Sequence, residues 1–407
     1  AALGFGTIAH ETVRGFLQDD RVQIIAVADP AKDLSNYGYR GEKRGGREVG
    51  KAIIENHYGK AEGGGKFAGC KTYENYMELL EKEDIDAVNV SAPDHWHAHM
   101  AIYCARKGKH IYGQKPLALT VEQGRRMSDE VKKAGVTWQT GSQQRSDQYF
   151  RMAAEFVRNG RLGKLQGISV GLPGGRGDWN QMGAQQDPRP APEGLNYDLW
   201  EGPAPHRPYC PAILPLNWRH NWDYSGGMIT DWGAHHIDIV QWALGMDESG
   251  PVKIENIKGE MPDQKALYNT PEKFHFEVVY ADGLRMTVQN KETGITFNGE
   301  GDKSIFVKRG TIRINPRELA REKIKDSETQ LYASKNHYRD FVDGIYSGGA
   351  TAAPIEAAHR TITIAHLANI ALRLGKGEMS WDPKTEKSDD DAINQMLSRP
   401  MRGAYSI

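Results

Sequence analysis

Cysteine is scarce in this chain. Three occur in 407 residues (Cys70, Cys104 and Cys210), far apart from one another. That argues against a disulfide framework and against a cysteine-built metal or redox centre. Charge of one sign is missing as well: 52 Lys and Arg meet 53 Asp and Glu, for a formal net charge of −1. No field of the whole molecule therefore favours nucleic acid or an anionic membrane. No apolar run approaches the roughly 18 residues a membrane span needs. What is present is length enough for two domains, each with its own core.

Strand-length and helix-length patterns alternate over residues 1–141. Ala1–Leu3 reads as the end of a strand, which places the true start, and any export signal, upstream; a periplasmic location is expected ahead of a cytoplasmic one. A helix over Ala9–Leu17, a strand over Val22–Ala28 and a glycine-rich elaboration over Ala31–Phe67 follow, the last with a helical piece at Val49–Tyr58. Then come a helix at Tyr73–Lys82, a strand at Ala87–Val90, a helix at His97–Lys107, a strand at Lys109–Tyr112, a helix at Val121–Ala134 and a strand at Val136–Thr140. This alternation predicts an α/β fold, a doubly wound parallel Rossmann sheet.

From 142 to 407 the texture predicts an α+β domain with an open, mainly antiparallel sheet. A helix at Ser146–Asn159 and a strand at Leu165–Leu172 precede a Pro/Gly/Trp-rich stretch, Pro173–Tyr224, read as irregular. A helix at Met228–Leu244 is followed by strands at Lys253–Glu260, Lys273–Tyr280, Leu284–Gln289, Gly294–Asn298 and Ser304–Lys308. Helices within 336–374 pack back on the body, and the tail from Trp381 is irregular. The open face of the sheet would suit a homodimer or homotetramer.

Gly4-Phe5-Gly6-Thr7-Ile8-Ala9 has the G-x-G-x-x-(G/A) form between a strand and a helix. Its glycines permit a tight turn and close backbone approach to a pyrophosphate, and the helix N-terminus offers free N–H groups. Asp29 ends the next strand about 20 residues on, where a carboxylate meets the ribose hydroxyls and repels a 2′-phosphate. NAD is therefore expected over NADP. Arg40, Arg44 and Arg47 keep NADP open, although a solvated basic loop is the blander reading.

Lys115, in Gly113-Gln114-Lys115-Pro116, follows a strand at the edge where open α/β sheets bind ligands. Ser91-Ala92-Pro93 and His97 follow the strand before it. His95, His97 and His99 alternate, but no acidic or cysteine partner adjoins them, so no metal is expected and His97 is assigned a hydrogen bond at the cofactor. In Asp231-Trp232-Gly233-Ala234-His235 the carboxylate and imidazole lie four apart on one helical face, which suits a carboxylate-oriented base.

In this order, the Gly4–Ala9 loop, Ser91–Pro93 with His97, Lys115-Pro116 and Asp231-x-x-x-His235 resemble the Gfo/Idh/MocA oxidoreductases, a family that includes inositol dehydrogenases and glucose–fructose oxidoreductase. Residues 195–205, Asn217-Trp218-Arg219 and Trp381-Asp382-Pro383 resemble a long bacterial subgroup, often exported and often carbohydrate-acting. The resemblance implies Lys115, Asp231 and His235 as the catalytic set. It implies cofactor contacts from Gly4, Gly6, Thr7, Ile8, Asp29, Ser91, Pro93, His97, Gln114, Lys115, Gln143, Trp218 and Arg219. The implied reaction is hydride transfer between a secondary alcohol of a sugar, glycoside or polyol (C3 among the options) and nicotinamide.

Substrate contacts are expected from Arg176, Trp179, Asp223, Tyr224 and His236. Gln114 stands where the family carries glutamate, and loss of that carboxylate should make Lys115 easier to deprotonate. Two other readings stay open. One is an NAD-dependent glycosidase that oxidises C3 transiently and eliminates; the other is a non-catalytic NAD-binding sensor.

Overall fold

The computed structural model describes residues 1–61 and 67–407. Residues 62–66, part of the predicted elaboration, lie outside the described residues. The first sheet comprises β1 (Ala2–Leu3), β2 (Ala26–Ala28), β3 (Lys71–Tyr73), β4 (Ala87–Val90), β5 (His110–Gly113) and β6 (Trp138–Thr140). Its strands are all parallel, in the order β3-β2-β1-β4-β5-β6, the doubly wound Rossmann order. Helices α1 (Ala9–Phe16), α2 (Arg47–Ala61), α3 (Tyr76–Lys82), α4 (Asp94–Arg106) and α5 (Val121–Ala134) connect them.

Several boundaries depart from the sequence reading, three of them by the most telling contacts. Tyr73 belongs to β3, paired with Ala28, and not to the helix. That helix starts three residues later because Asn75 Oδ1 accepts from Met77 N and caps it. α4 starts at Asp94, directly after Pro93. Only Ala26–Ala28 of the apolar run Val22–Ala28 joins the sheet; Ile24 N donates to the Tyr58 hydroxyl instead.

The second sheet contains β7 (Gly167–Leu172), β8 (Lys253–Glu260), β9 (Lys273–Val279), β10 (Arg285–Asn290), β11 (Gly294–Asn298), β12 (Ser304–Lys308), β13 (Thr311–Asn315) and β14 (Met379–Ser380). The order is β13-β12-β11-β7-β10-β9-β8-β14, antiparallel except for β7 with β10. β13 and β14 were not foreseen. Helices α6 (Gln148–Arg158), α7 (Tyr197–Glu201), α8 (Gly227–Leu244), α9 (His337–Ser347), α10 (Ile355–Arg373) and α11 (Asp391–Gln395) complete the chain.

Alternation orients the second sheet: Phe274, Phe276 and Val278 are buried, whereas His275 and Glu277 face outward. Its buried face packs with α8 and α10, which also touch each other. The long stretch 173–224 is not featureless. It holds α7 and several 3₁₀ turns, and its apolar side chains form a second core with Ala31, Leu34 and Tyr37 of the first domain.

Candidate active site

A cleft of about 620 Å³ lies between the glycine loop, the ends of β4 and β5, the start of α8 and the stretch 179–219. Gly4 has φ +86°, and a Cβ there would fall 2.8 Å from Ser91 O, so this turn requires glycine. Asp29 is buried; its Oδ2 accepts from Phe5 N at 2.5 Å and its Oδ1 from Ala31 N at 2.7 Å. Burial pushes its carboxyl up to about 6 against the pull of those two N–H groups. Arg44 is committed to Asp33, and Arg47 to the carbonyls of Asp29 and Pro30. Arg40, of the three, reaches the cleft.

Ser91, Pro93, Gln114, Gln143, Trp218 and Arg219 all line the cleft, together with Gly4, Gly6, Thr7 and Ile8. His97 does not. Its ring nitrogens lie 2.7 Å from Pro116 O and 2.9 Å from Ala92 O, and the side chain is buried. The expected cofactor contact is therefore corrected: His97 ties the loop after β4 to the Lys115-Pro116 loop. The alternating histidines part company as well. His95 Nε2 lies 3.0 Å from Trp200 O, and His99 Nδ1 lies 2.5 Å from the Tyr76 hydroxyl. Among the described residues no group of three or more His, Cys, Asp or Glu is placed to hold a metal ion.

Lys115 projects from the loop after β5 and meets α8. Its Nζ lies 2.5 Å from Asp231 Oδ1 and 3.3 Å from Asp231 O. Arg219 Nη1 sits 3.3 Å from the same Oδ1 and 3.5 Å from Asp94 Oδ1. Burial alone would raise Asp231, but Arg219 and Lys115 outweigh it and hold the carboxyl at about 2. Lys115 is lowered from the ordinary lysine value, first by burial and further by Arg219, with Asp231 opposing.

His235, one turn further along α8, also lines the cleft. Burial, with Lys115 and Arg309 nearby, pushes it well below the ordinary histidine value. Asp231 pairs with Lys115 and Arg219, so the expected carboxylate–imidazole pair is corrected: the two share a helical face while the carboxylate serves the lysine.

Of the expected substrate contacts, Trp179 lines the cleft. The others turn elsewhere. Arg176 stacks on Tyr268, its guanidinium 4.3 Å from the ring centre. Asp223 pairs with Arg207. Tyr224 is fully buried and donates to Glu201 Oε1. His236 faces the sheet, with Nδ1 3.2 Å from Gly171 O. Packing in and around the irregular stretch takes Arg176, Asp223 and Tyr224, and the second sheet takes His236.

Several lining residues were missed. Glu11, Asp94, Trp232 and Arg309 all line the cleft. Arg309 sits at the β12–β13 turn and lies over the Trp232 ring at 5.1 Å. The sequence reading ended its strands at Lys308, and the arrival of Arg309 at the cleft depends on the pairing of β12 with β13.

A dinucleotide fits this cradle: the glycine turn leaves no room for a Cβ, and a buried carboxylate stands at the end of the second strand. Gln114 Nε2 and Trp179 Nε1 are buried polar atoms without partners among the described residues. Fold and site together define a two-domain oxidoreductase with a Rossmann nucleotide-binding half. Residues 1–142 match the family model described as oxidoreductase family, NAD-binding Rossmann fold, and residues 151–407 the one described as oxidoreductase family, C-terminal alpha/beta domain. The chain belongs to the Gfo/Idh/MocA oxidoreductase family.

It is 39% identical over 175 residues to a myo-inositol 2-dehydrogenase of Thermotoga maritima, a stretch covering 43% of this chain and 41% of that protein. It is 38% identical over 94 residues to a glycosyl hydrolase family 109 protein of Shewanella sp. (strain ANA-3), covering 22% of this chain and 20% of that one. Each match thus spans less than half of the relative's length. The WlbA dehydrogenase of Bordetella pertussis, solved with NADH and UDP-GlcNAcA, shares the fold with a TM-score of 0.63 at 15% identity, over 94% of this chain and 96% of that one.

Proposed function

We propose that this chain is an NAD-dependent dehydrogenase acting on a secondary alcohol of a sugar, glycoside or polyol. The observation that carries this reading is the Lys115–Asp231 pair at 2.5 Å, with His235 one turn on, inside the cleft that holds the glycine loop and Asp29. When bound, the nicotinamide supplies hydride transfer to or from the substrate carbon. The protein's part is to hold the substrate and move the hydroxyl proton.

Lys115 Nζ takes that proton. Burial draws its pKa down toward the operating range, where a base is most effective. His235 is pushed well below the ordinary histidine value, so it is a weak base at neutral pH. It serves as a neutral hydrogen-bonding partner of the substrate oxygen. Asp231 keeps the lysine in place and remains ionised.

Incubation with NAD⁺ and a panel of sugars, polyols and glycosides tests this. Substrate-dependent NADH formation supports it; release of aglycone with no NADH supports the glycosidase reading, which the short match to the family 109 protein favours. We also propose a homo-oligomer through the outer face of the second sheet, where Arg285 pairs with Glu255 and Glu277. Sedimentation of the purified protein as a monomer would overturn that.

A further inference from the structure

We propose that Asp94 and Arg219 are positioning residues of the dehydrogenation: their ion pair takes a share of the Asp231 carboxylate, and so decides how firmly that carboxylate holds the Lys115 ammonium. The inference rests on the dehydrogenase reading above and deepens it. It comes from the order in which four charges meet in the cleft.

Cation and anion alternate along one wall. Lys115 Nζ lies 2.5 Å from Asp231 Oδ1, Arg219 Nη1 lies 3.3 Å from that same oxygen, and the same Nη1 lies 3.5 Å from Asp94 Oδ1. One carboxylate oxygen thus serves two cations, and one guanidinium nitrogen serves two carboxylates. The four side chains come from four segments: the loop after β5, the first turns of α8, the 3₁₀ turn Asn217–His220 and the first residue of α4. Both members of the far pair are fixed in place. Asp94 is 2% exposed, and its Oδ2 accepts from the Ser225 hydroxyl at 2.5 Å. The Arg219 guanidinium lies 4.6 Å from the centre of a Trp218 ring.

Arg219 acts on the ammonium twice, by direct repulsion and by competing for Asp231 Oδ1. Asp94 opposes both effects, since it attracts the ammonium and draws the guanidinium away from Asp231. The other ionisable groups around Lys115 leave this balance to the pair. His220, on the same turn as Arg219, and His235, on α8, are both pushed down by burial, His220 to about 4, so both are neutral near pH 7. Arg309, from the β12–β13 turn, keeps a fixed charge and is faced by Glu11 of α1 and Asp147 at the cap of α6. The His97 ring lies between the Pro116 and Ala92 carbonyls. Gln114, the neighbour in the chain, brings no charge. A base that must release its proton on each turnover needs a hold that is firm in position and moderate in strength. Sharing Asp231 between two cations gives both.

Two readouts test this on the intact protein saturated with NAD⁺. Competitive acetylation against pH, with mass spectrometry of the peptide that carries Lys115, titrates the lysine without turnover; the acid-side limb of kcat/KM titrates it during the reaction. Arg219→Gln gives Asp231 wholly to Lys115, so the midpoint should move to higher pH by about one pH unit or more, with about tenfold less free amine below it. Asp94→Asn turns Arg219 fully onto Asp231, so the midpoint should move to lower pH. Arg219→Lys keeps the charge and should leave the midpoint near that of the parent. Should Arg219→Gln fail to fold, the double variant Asp94→Asn with Arg219→Gln decides: it removes both partners together, which is tolerated better than removing one, and should also move the midpoint to higher pH.

A merely structural pair would lower activity in both single variants and leave the midpoint where it is. Midpoints that coincide with the parent's, or that move in one direction for both single variants, overturn the proposal; sugar-dependent NADH formation by the parent then leaves the dehydrogenase reading standing. Opposite shifts of the acetylation midpoint in a protein that forms NADH from no sugar overturn the dehydrogenase reading, and the positioning role with it.

Discussion

Lys115 and Asp231 join the two domains inside the cleft: the ammonium hangs from the loop after β5, and the carboxylate that holds it, 2.5 Å away, comes from the first turns of α8. Neither residue is placed by its own element alone. Replacing Lys115 with Met should lower kcat by about 10²–10⁴, the span general acid–base groups supply, while NAD⁺ affinity stays within a few-fold. Asp231→Asn leaves Lys115 and Arg219 buried without their shared carboxylate. A loss of about 3–5 kcal/mol is expected, as when a buried pair loses one partner, and chemical denaturation measures it.

Gln114 lines the cleft beside Lys115. Gln114→Glu adds a carboxylate there and should raise the lysine pKa. Because the base must be deprotonated, the acid-side limb of the kcat/KM profile should then move to higher pH. A pH–rate profile that superimposes on that of the parent would sink the assignment of Lys115 as the base.

His97 separates a structural role from a cofactor role. Its ring nitrogens lie against the Ala92 and Pro116 carbonyls, so His97→Ala removes the hydrogen bond the ring donates there and frees the loop that carries Lys115. A stability loss of about 1–3 kcal/mol and a fall in kcat are expected, with little change in the dissociation constant for NAD⁺. An effect confined to NAD⁺ affinity would restore the cofactor assignment.

Buried histidines set the acid response. His366 is lowered to about 3, and His95 and His337 to about 4, chiefly by burial. Below their unfolded value of roughly 6.5 the unfolded chain binds protons that the native state refuses, so stability falls with pH, each group contributing up to about 1.4 kcal/mol per pH unit. Asp29, raised to about 6, works in the opposite direction between its unfolded value near 4 and 6, as do Asp238, Asp340 and Glu248, which are also raised. But His99, His220 and His236 are lowered to about 4 as well, and the histidines outnumber the carboxyls. Urea denaturation from pH 7 to pH 4 should show a steep decline, and a flat profile would contradict the burial of these rings.

Gly4→Ala places a Cβ 2.8 Å from Ser91 O at φ +86°. The backbone there admits no side chain without strain of about 1–3 kcal/mol. The NAD⁺ dissociation constant should rise at least about tenfold, a change isothermal titration resolves.

Local chemistry carries much of this protein in its sequence. The glycine turn, Asp29 at the end of its strand, the alternation of the first domain and the i, i+4 spacing of Asp231 and His235 depend on neighbours within a few residues or on short periodic patterns, and these are legible. Partner choice across the domains is not. Sequence spacing put Asp231 with His235, whereas the approach of the Lys115 loop to α8 gave the carboxylate to the lysine and to Arg219. Arg176, Asp223, Tyr224 and His236 are of the right types for a sugar site, yet the core of the long stretch and the sheet claimed them. Arg309 reached the cleft because β13 folds back on β12 at the sheet edge. Residue types and short-range geometry therefore specified the cofactor fold and the candidate side chains of the cleft, and only long-range packing decided which of them face one another, because that depends on which surfaces the chain buries together.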